Sequence, residues 1–165
     1  MSKILKLFEY QSPVGPWRGL LLDDKLAYFS RDSKKEVVSF GKSHGFEVEE
    51  GKIPSLLEKE LKLYFAGKLQ NFKSSLHFLG GSEFQRKVWN CLTQIPYGET
   101  RSYAWVARQI KHPKAHRAVG TANGKNRIPL LVPCHRVIAS DGGLGGYSAG
   151  GLPIKQALLK IEGIH

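Results

Sequence analysis

The chain has 165 residues, and its 41% apolar and 24% charged content is that of one or two packed domains, not of a disordered chain. Lysine and arginine outnumber aspartate and glutamate by 25 to 14, and within residues 86–136 ten basic residues face a single acid, Glu99. A bare charge run is a solvated face, but a basic stretch interleaved with apolar residues points to a polyanion, and no apolar run approaches the length of a membrane span.

In chain order, residues 3–10 and 17–22 read as extended, and Asp23-Asp24 turns the second of these into a third strand at 26–30. VVSF at 37–40 reads as a weaker strand. Ile53-Pro54-Ser55 opens a helix that places Leu57, Leu61, Tyr64 and Phe65 on one face and stops at Gly67. FKSSLHFL at 72–79 reads as a last strand, and Gly80-Gly81 as a boundary. The expected organisation is a small α/β domain over 1–80 and a mainly helical domain over 81–165, an α+β chain overall.

The second half is helical. Ser82 and Gln85 fit a capping box, followed by Phe84, Val88, Trp89 and Leu92 at helical spacing. Pro96-Tyr97-Gly98 ends that helix. A second helix runs near 102–110 with Tyr103, Val106, Ala107 and Ile110 on one face. Pro113 suits the first turn of a third, which carries Ala115, Ala118, Val119 and Ala122 on its apolar side and ends at Asn123-Gly124. Two short helices joined this closely form a helix-turn-helix. Lys114, His116 and Arg117 on the second, and Lys125 just beyond it, offer charge to phosphates.

The reactive candidate follows in IPLLVPCHRV at 128–137. Most lone cysteines are small buried hydrophobes, and Cys91, beside Trp89 and Leu92, reads that way. Cys134 differs. It lies between a restricting proline and His135-Arg136, whose positive charge favours a thiolate. A glycine-rich loop, 142–151, comes next and permits close approach of backbone to a ligand. On an extended backbone, Cys134 and His135 point to opposite faces, so cooperation needs a bend or a bridging water. His135 also needs a third group to orient it, and Glu162, at the end of a helix expected over 153–162, is the candidate. Neither cysteine sits in a zinc pattern and the glycine loop lacks a dinucleotide setting, so neither a metal nor a cofactor is expected. The N-terminal MSKILKLFEY has no apolar signal core, so no secretory signal is expected.

PCHRV at 133–137, the basic helix pair before it and GLGGYSAGGLPIKQALLKIEG after it resemble the alkylguanine-DNA alkyltransferases, or methylated-DNA–protein-cysteine methyltransferases, over 82–163. The first half is similar in order of elements to that family's ribonuclease-H-like N-terminal domain. The resemblance implies direct-reversal repair by base flipping, with Cys134 taking the alkyl group from O6 of guanine once and irreversibly, and O4 of thymine as a second candidate source. It implies that His135 is the water-bridged base, Glu162 the carboxylate behind it, and Asn126 a brace between recognition helix and active site. Arg117 becomes the finger that fills the vacated stack, Tyr103 the residue that crowds the neighbouring phosphate and bonds the guanine, and Tyr147 and Ser148 the loop over the base. Val137 would lend backbone to the pocket and Lys155 would support it, with Lys114, Lys125 and Arg136 as further DNA contacts. Double-stranded DNA carrying O6-alkylguanine is the implied partner of a monomer, in the cytoplasm or nucleoid of a prokaryote or the nucleus of a eukaryote. The zinc-binding cysteine and histidine residues of some members' N-terminal domains have no counterpart here. Two other readings stay open on the residues: a module that binds lesions without chemistry, and a Cys-His hydrolase with an acyl intermediate.

Overall fold

Alternating apolar residues draw the first strands into a sheet. The computed structural model describes residues 3–165 and divides into two units, residues up to Gly80 and Gly81–His165. In the first, β1 (Ile4–Ser12), β2 (Gly15–Leu22) and β3 (Lys25–Ser30) pair antiparallel. Asp23 and Asp24 both take positive φ, 48° and 67°, the geometry of a tight turn whose twist matches its strands. After α1 (Lys34–Ser43), β4 (Glu47–Glu50) runs parallel to β1, giving the order β3-β2-β1-β4. Helix α2 (Ser55–Phe65) buries Leu57, Leu61 and Tyr64 as its spacing requires.

Two expectations fail in this unit. VVSF lies inside α1, not in a strand, because Ser33 caps the Glu36 amide and a helical period then buries Val37 and Gly41. The segment 72–79 makes only an isolated bridge, Leu26 to Leu76. The buried Glu60 carboxylate takes the backbone N–H groups of Lys73 and Ser74 at 2.6 and 3.1 Å, and this diverts the chain from a longer ladder.

In the second unit, α3 (Glu83–Leu92) begins with the expected capping box between Ser82 and Gln85. A two-residue strand β5 (Arg101–Ser102) leads into α4 (Tyr103–Gln109), and α5 (His116–Gly124) follows. The recognition-type helix starts later than its proline predicts. Lys111 takes a left-handed φ of 65°, and Ala115 N–H bonds back to the His112 carbonyl at 2.9 Å, so Pro113 lies in the turn before α5. Val119, Ala122 and Asn123 are the buried residues of α5, while Ala118 is exposed beside Arg117. The chain then turns through Leu130, at φ 74°, into a 3-10 turn at Cys134–Arg136. Strand β6 (Val137–Ile138) pairs parallel with β5, and α6 (Leu152–Ile161) closes the unit. The mixture of sheet and segregated helices is α+β. Among the described residues, no helix is long and apolar enough to cross a membrane.

Candidate active site

The 3-10 turn supplies the bend between Cys134 and His135 that an extended backbone denies them. Asn126 holds the approach to that turn. Its amide nitrogen donates to the Val132 carbonyl at 2.8 Å, and its amide oxygen accepts from Ile128 N–H at 3.0 Å. Both of its polar ends are thus used to brace a loop that carries a branched residue, Leu130, in left-handed geometry.

Cys134 is 3% exposed and lines a cleft of about 510 Å³ with Tyr103, Gly120, Asn123, Gly124, Gly146, Tyr147 and Ser148. Helices α4 and α5 form one part of this wall and the glycine loop the other. The loop passes so near Tyr103 that a Cβ on Gly145, at φ +71°, would stand 2.8 Å from the phenolic oxygen. Lys155, fully buried on α6, ties the loop down. Its Nζ donates to the carbonyls of Val137 at 2.7 Å and Gly146 at 3.1 Å, and to that of Leu144. Ser148 Oγ donates to the Gly124 carbonyl at 2.9 Å, joining the loop to the end of α5.

Behind the turn sits a carboxylate with several donors. Glu162 caps α6, where the helix dipole disfavours it, and is buried. His135 Nε2 lies 2.5 Å from Oε2, Arg136 Nε 2.8 Å from Oε1, and Gly98 N–H donates to Oε1 at 3.2 Å. Burial alone would raise the Glu162 carboxyl, but His135 and then Arg136 outweigh it and hold it at about 2. A carboxylate only accepts, so Nε2 of His135 carries the proton and Nδ1 is the basic nitrogen. Burial pushes the His135 imidazole below its usual value against the pull of Glu162, which keeps the ring neutral and able to receive a proton.

The electrostatics of Cys134 depart from the sequence reading. Burial pushes the thiol up to about 11, opposed in part by hydrogen bonding from Asn126, the charge of Lys155 and hydrogen bonding from Tyr147. Arg136 does not favour a thiolate, since it is spent on Glu162 and on the Ile95 carbonyl, 2.8 Å from its Nη1. Nor can Arg136 serve as a DNA contact: it is 6% exposed, inside the unit. Burial also raises the Tyr103 phenol, ahead of the effect of the neighbouring Cys134, so Tyr103 remains a donor at neutral pH.

The fold thus brings Tyr103, Cys134, Tyr147 and Ser148 together around one cleft, with His135 and Glu162 behind Cys134 and Asn126 as brace. Val137 and Lys155 are not cleft-lining residues; the Val137 carbonyl is taken by Lys155. Lys114, Arg117 and Lys125 are exposed on or beside α5, with Lys111 and Arg127 also exposed. Two cleft residues, Gly120 and Asn123, are not legible as such in the sequence. Asn123 is read there as half of an Asn-Gly helix stop, and its side chain faces the cleft instead. Cys91 is half-buried in α3 and takes no part.

A family model described as the DNA-binding domain of 6-O-methylguanine DNA methyltransferase matches residues 83–164. A methylated-DNA–protein-cysteine methyltransferase of Methanosarcina acetivorans is 46% identical over 156 residues, covering 93% of this chain and 96% of that protein. One of Mycolicibacterium paratuberculosis is 57% identical over 107 residues, 65% of this chain and 64% of that protein. Among solved structures, Mycobacterium tuberculosis OGT in complex with DNA superposes with a TM-score of 0.81 at 38% identity, covering 95% of this chain and 92% of that one. The O6-methylguanine-DNA methyltransferase of Pyrococcus kodakaraensis gives 0.73 at 28% identity, with 97% and 99% covered. By residues, geometry and likeness alike, this chain belongs to the methylated-DNA–protein-cysteine methyltransferase family.

Proposed function

We propose that this protein repairs DNA by direct reversal, taking the alkyl group from O6 of guanine in duplex DNA onto Cys134. The observation that carries this reading is the position of the Cys134 sulfur, in a cleft between α4, α5 and a glycine loop, backed by the His135–Glu162 pair. The target base is stacked in the duplex and must be extruded, at a cost of about a few kcal/mol. Exposed Lys111, Lys114, Arg117, Lys125 and Arg127 supply attraction to phosphates without sequence preference. Arg117 fills the space the base leaves, which lowers the cost of keeping it out. Tyr103 crowds the phosphate beside the flipped nucleotide.

The chemistry balances without a cofactor. The thiol proton passes toward Nδ1 of His135, through a water, and Glu162 stabilises the imidazolium that forms. The sulfur lone pair attacks the alkyl carbon, a carbon–sulfur bond forms and the carbon–O6 bond breaks. The electron pair returns to the guanine, which takes a proton from water at N1, while the imidazolium gives its proton back to water. Tyr103 and Ser148, with backbone N–H groups of the loop, bond the base as charge builds on it. Ser148 must first give up its bond to Gly124, since its hydroxyl proton is already donated there. The product is a thioether, which water does not cleave as it cleaves a thioester, so each molecule acts once. Residues 81–165 carry DNA binding and transfer, beside an N-terminal domain of ribonuclease-H-like build over 1–80, and the protein works as a monomer wherever the cell keeps its DNA.

Intact-mass measurement after incubation with a duplex bearing O6-methylguanine tests this directly. One methyl per chain, on Cys134, with no turnover beyond it, is expected. Binding with no gain of mass by the folded protein would turn the reading into a lesion-binding module, and repeated turnover would exclude a thioether.

A further inference from the structure

The glycine loop has two sides. One faces the cleft of Cys134, through Gly146, Tyr147 and Ser148. The other closes a second cavity of about 500 Å³, lined with the aliphatic side chains of Ile138, Leu144, Leu159 and Ile164. Small-ligand pockets span roughly 300–1,000 Å³, so this one is large enough to hold a molecule. No acidic side chain lines it, whereas Lys160 and His165 do. Lys160 is exposed on α6, and among the described residues no carboxylate pairs with it.

A few residues of chain join this cavity to the cleft. Between Asp141 and Tyr147, Leu144 alone carries a side chain, among four glycines. It is therefore the apolar anchor of that span, and it is half-buried on the wall of a cavity that leaves its packing incomplete. The Leu144 carbonyl accepts from Lys155 Nζ, which also holds the carbonyl of Gly146, on the cleft, at 3.1 Å, and that of Val137, next to Ile138, at 2.7 Å. Whatever fills the cavity thus bears on the segment that walls the cleft. We infer that this cavity binds a small amphipathic anion, an apolar body with one acidic group, whose presence slows alkyl transfer by fixing the glycine loop. Burial of the aliphatic lining supplies affinity, and the cations select the charge. Ser148 has to leave the Gly124 carbonyl before it can bond a base, so transfer requires the loop to shift. An occupant packed on Leu144 favours the unshifted loop and opposes that step. The effect on rate rests on the reading of Cys134 as the alkyl acceptor; the binding does not.

The test uses 8-anilinonaphthalene-1-sulfonate, an aromatic body with one acidic group that fluoresces when bound. Titration of the full-length protein should show one saturable site with Kd on the order of tens of micromolar. N-phenyl-1-naphthylamine, the same body without the sulfonate, should bind roughly fivefold or more weakly. Lys160→Glu reverses a charge at an exposed position and should weaken the sulfonate by about fivefold or more. Lys59→Glu, the same change at an exposed position on α2, should leave it within about twofold. Single-turnover methylation of Cys134 by an excess of O6-methylguanine duplex is then followed by intact mass, with and without saturating sulfonate. Excess duplex keeps competition for the phosphate-binding face out of the rate. The wild type should slow by about fivefold or more, and Lys160→Glu, at the same sulfonate concentration, much less. The inference is overturned if no saturable site is found, if Lys160→Glu binds the sulfonate as the wild type does, or if bound sulfonate leaves the wild-type rate unchanged. A wild type that fails to methylate Cys134 even without the sulfonate would instead defeat the underlying reading of the reaction, and the titrations would still decide whether the site exists.

Discussion

Glu162 shows how one side chain serves both folding and chemistry. Buried against two neighbours, it neutralises the Arg136 guanidinium and fixes the tautomer of His135. Removing one partner of a buried ion pair leaves an uncompensated charge, which costs about 3–5 kcal/mol. Glu162→Gln keeps the shape and deletes the charge, so denaturant unfolding should show a loss of that order, with transfer to Cys134 slowed as well. An unchanged unfolding midpoint would mean that Arg136 finds another counter-charge. The pH dependence follows the same pair. The Glu162 carboxyl is held at about 2 against an ordinary value of 4.5, so the unfolded chain binds its proton first. The stability it supplies is complete above the ordinary value and is lost as the pH falls from there toward 2; the Gln variant should lack that slope in acid titrations of unfolding. At this scale the sequence was partly legible. A carboxylate at the wrong end of a helix needs a partner, which makes Glu162 legible. The burial of Arg136 is not legible, because an arginine beside a cysteine in a basic stretch reads as an outward-facing charge.

Elements were legible where local chemistry agrees with the fold. The Ser82–Gln85 capping box, the apolar face of α2 and the Asp23-Asp24 turn are written in residue types and spacing. Where two local preferences compete, or a long-range bond intervenes, the sequence misleads: β-branched Val37 and Val38 sit in a helix capped by Ser33, and Glu60 draws 72–79 out of a strand. The order of elements around the cleft was legible, but the approach of the glycine loop to Tyr103 was not, since it depends on Lys155 reaching back to three carbonyls. That approach can be probed. In Gly145→Ala, the new Cβ both strains a positive φ and meets the Tyr103 hydroxyl at 2.8 Å. Gly142→Ala strains a similar φ, +88°, with nothing within 4 Å. Each bears about 1–3 kcal/mol of backbone strain. Only the first intrudes on the cleft, so transfer should slow roughly tenfold in Gly145→Ala and much less in Gly142→Ala. Equal losses would show that loop strain, not crowding of Tyr103, governs the rate.

Across the whole molecule the question is where the formal charge of +11 acts. Net charge alone promotes association with any polyanion, whereas a functional DNA face concentrates the effect in a few residues. Three groups of cations bear on that question. Arg136 is buried on Glu162 and Lys155 on backbone carbonyls, so neither can meet a phosphate. Lys35 and Lys59 are exposed in the first unit, far along the chain from the helix pair. Lys114 and Lys125 are exposed at either end of α5. Affinity for duplex DNA should therefore fall steeply with salt, each contacted phosphate contributing about −0.9 to the slope of log affinity against log salt. Lys114→Ala and Lys125→Ala should each make that slope shallower by about one contact, across lesion-bearing and undamaged duplexes alike. Lys35→Ala and Lys59→Ala should weaken binding slightly and leave the slope unchanged. Fluorescence anisotropy of labelled duplexes over a salt series separates the two cases. Equal changes of slope in all four variants would mean that the charge acts as a diffuse cloud, and that α5 has no special claim to the DNA.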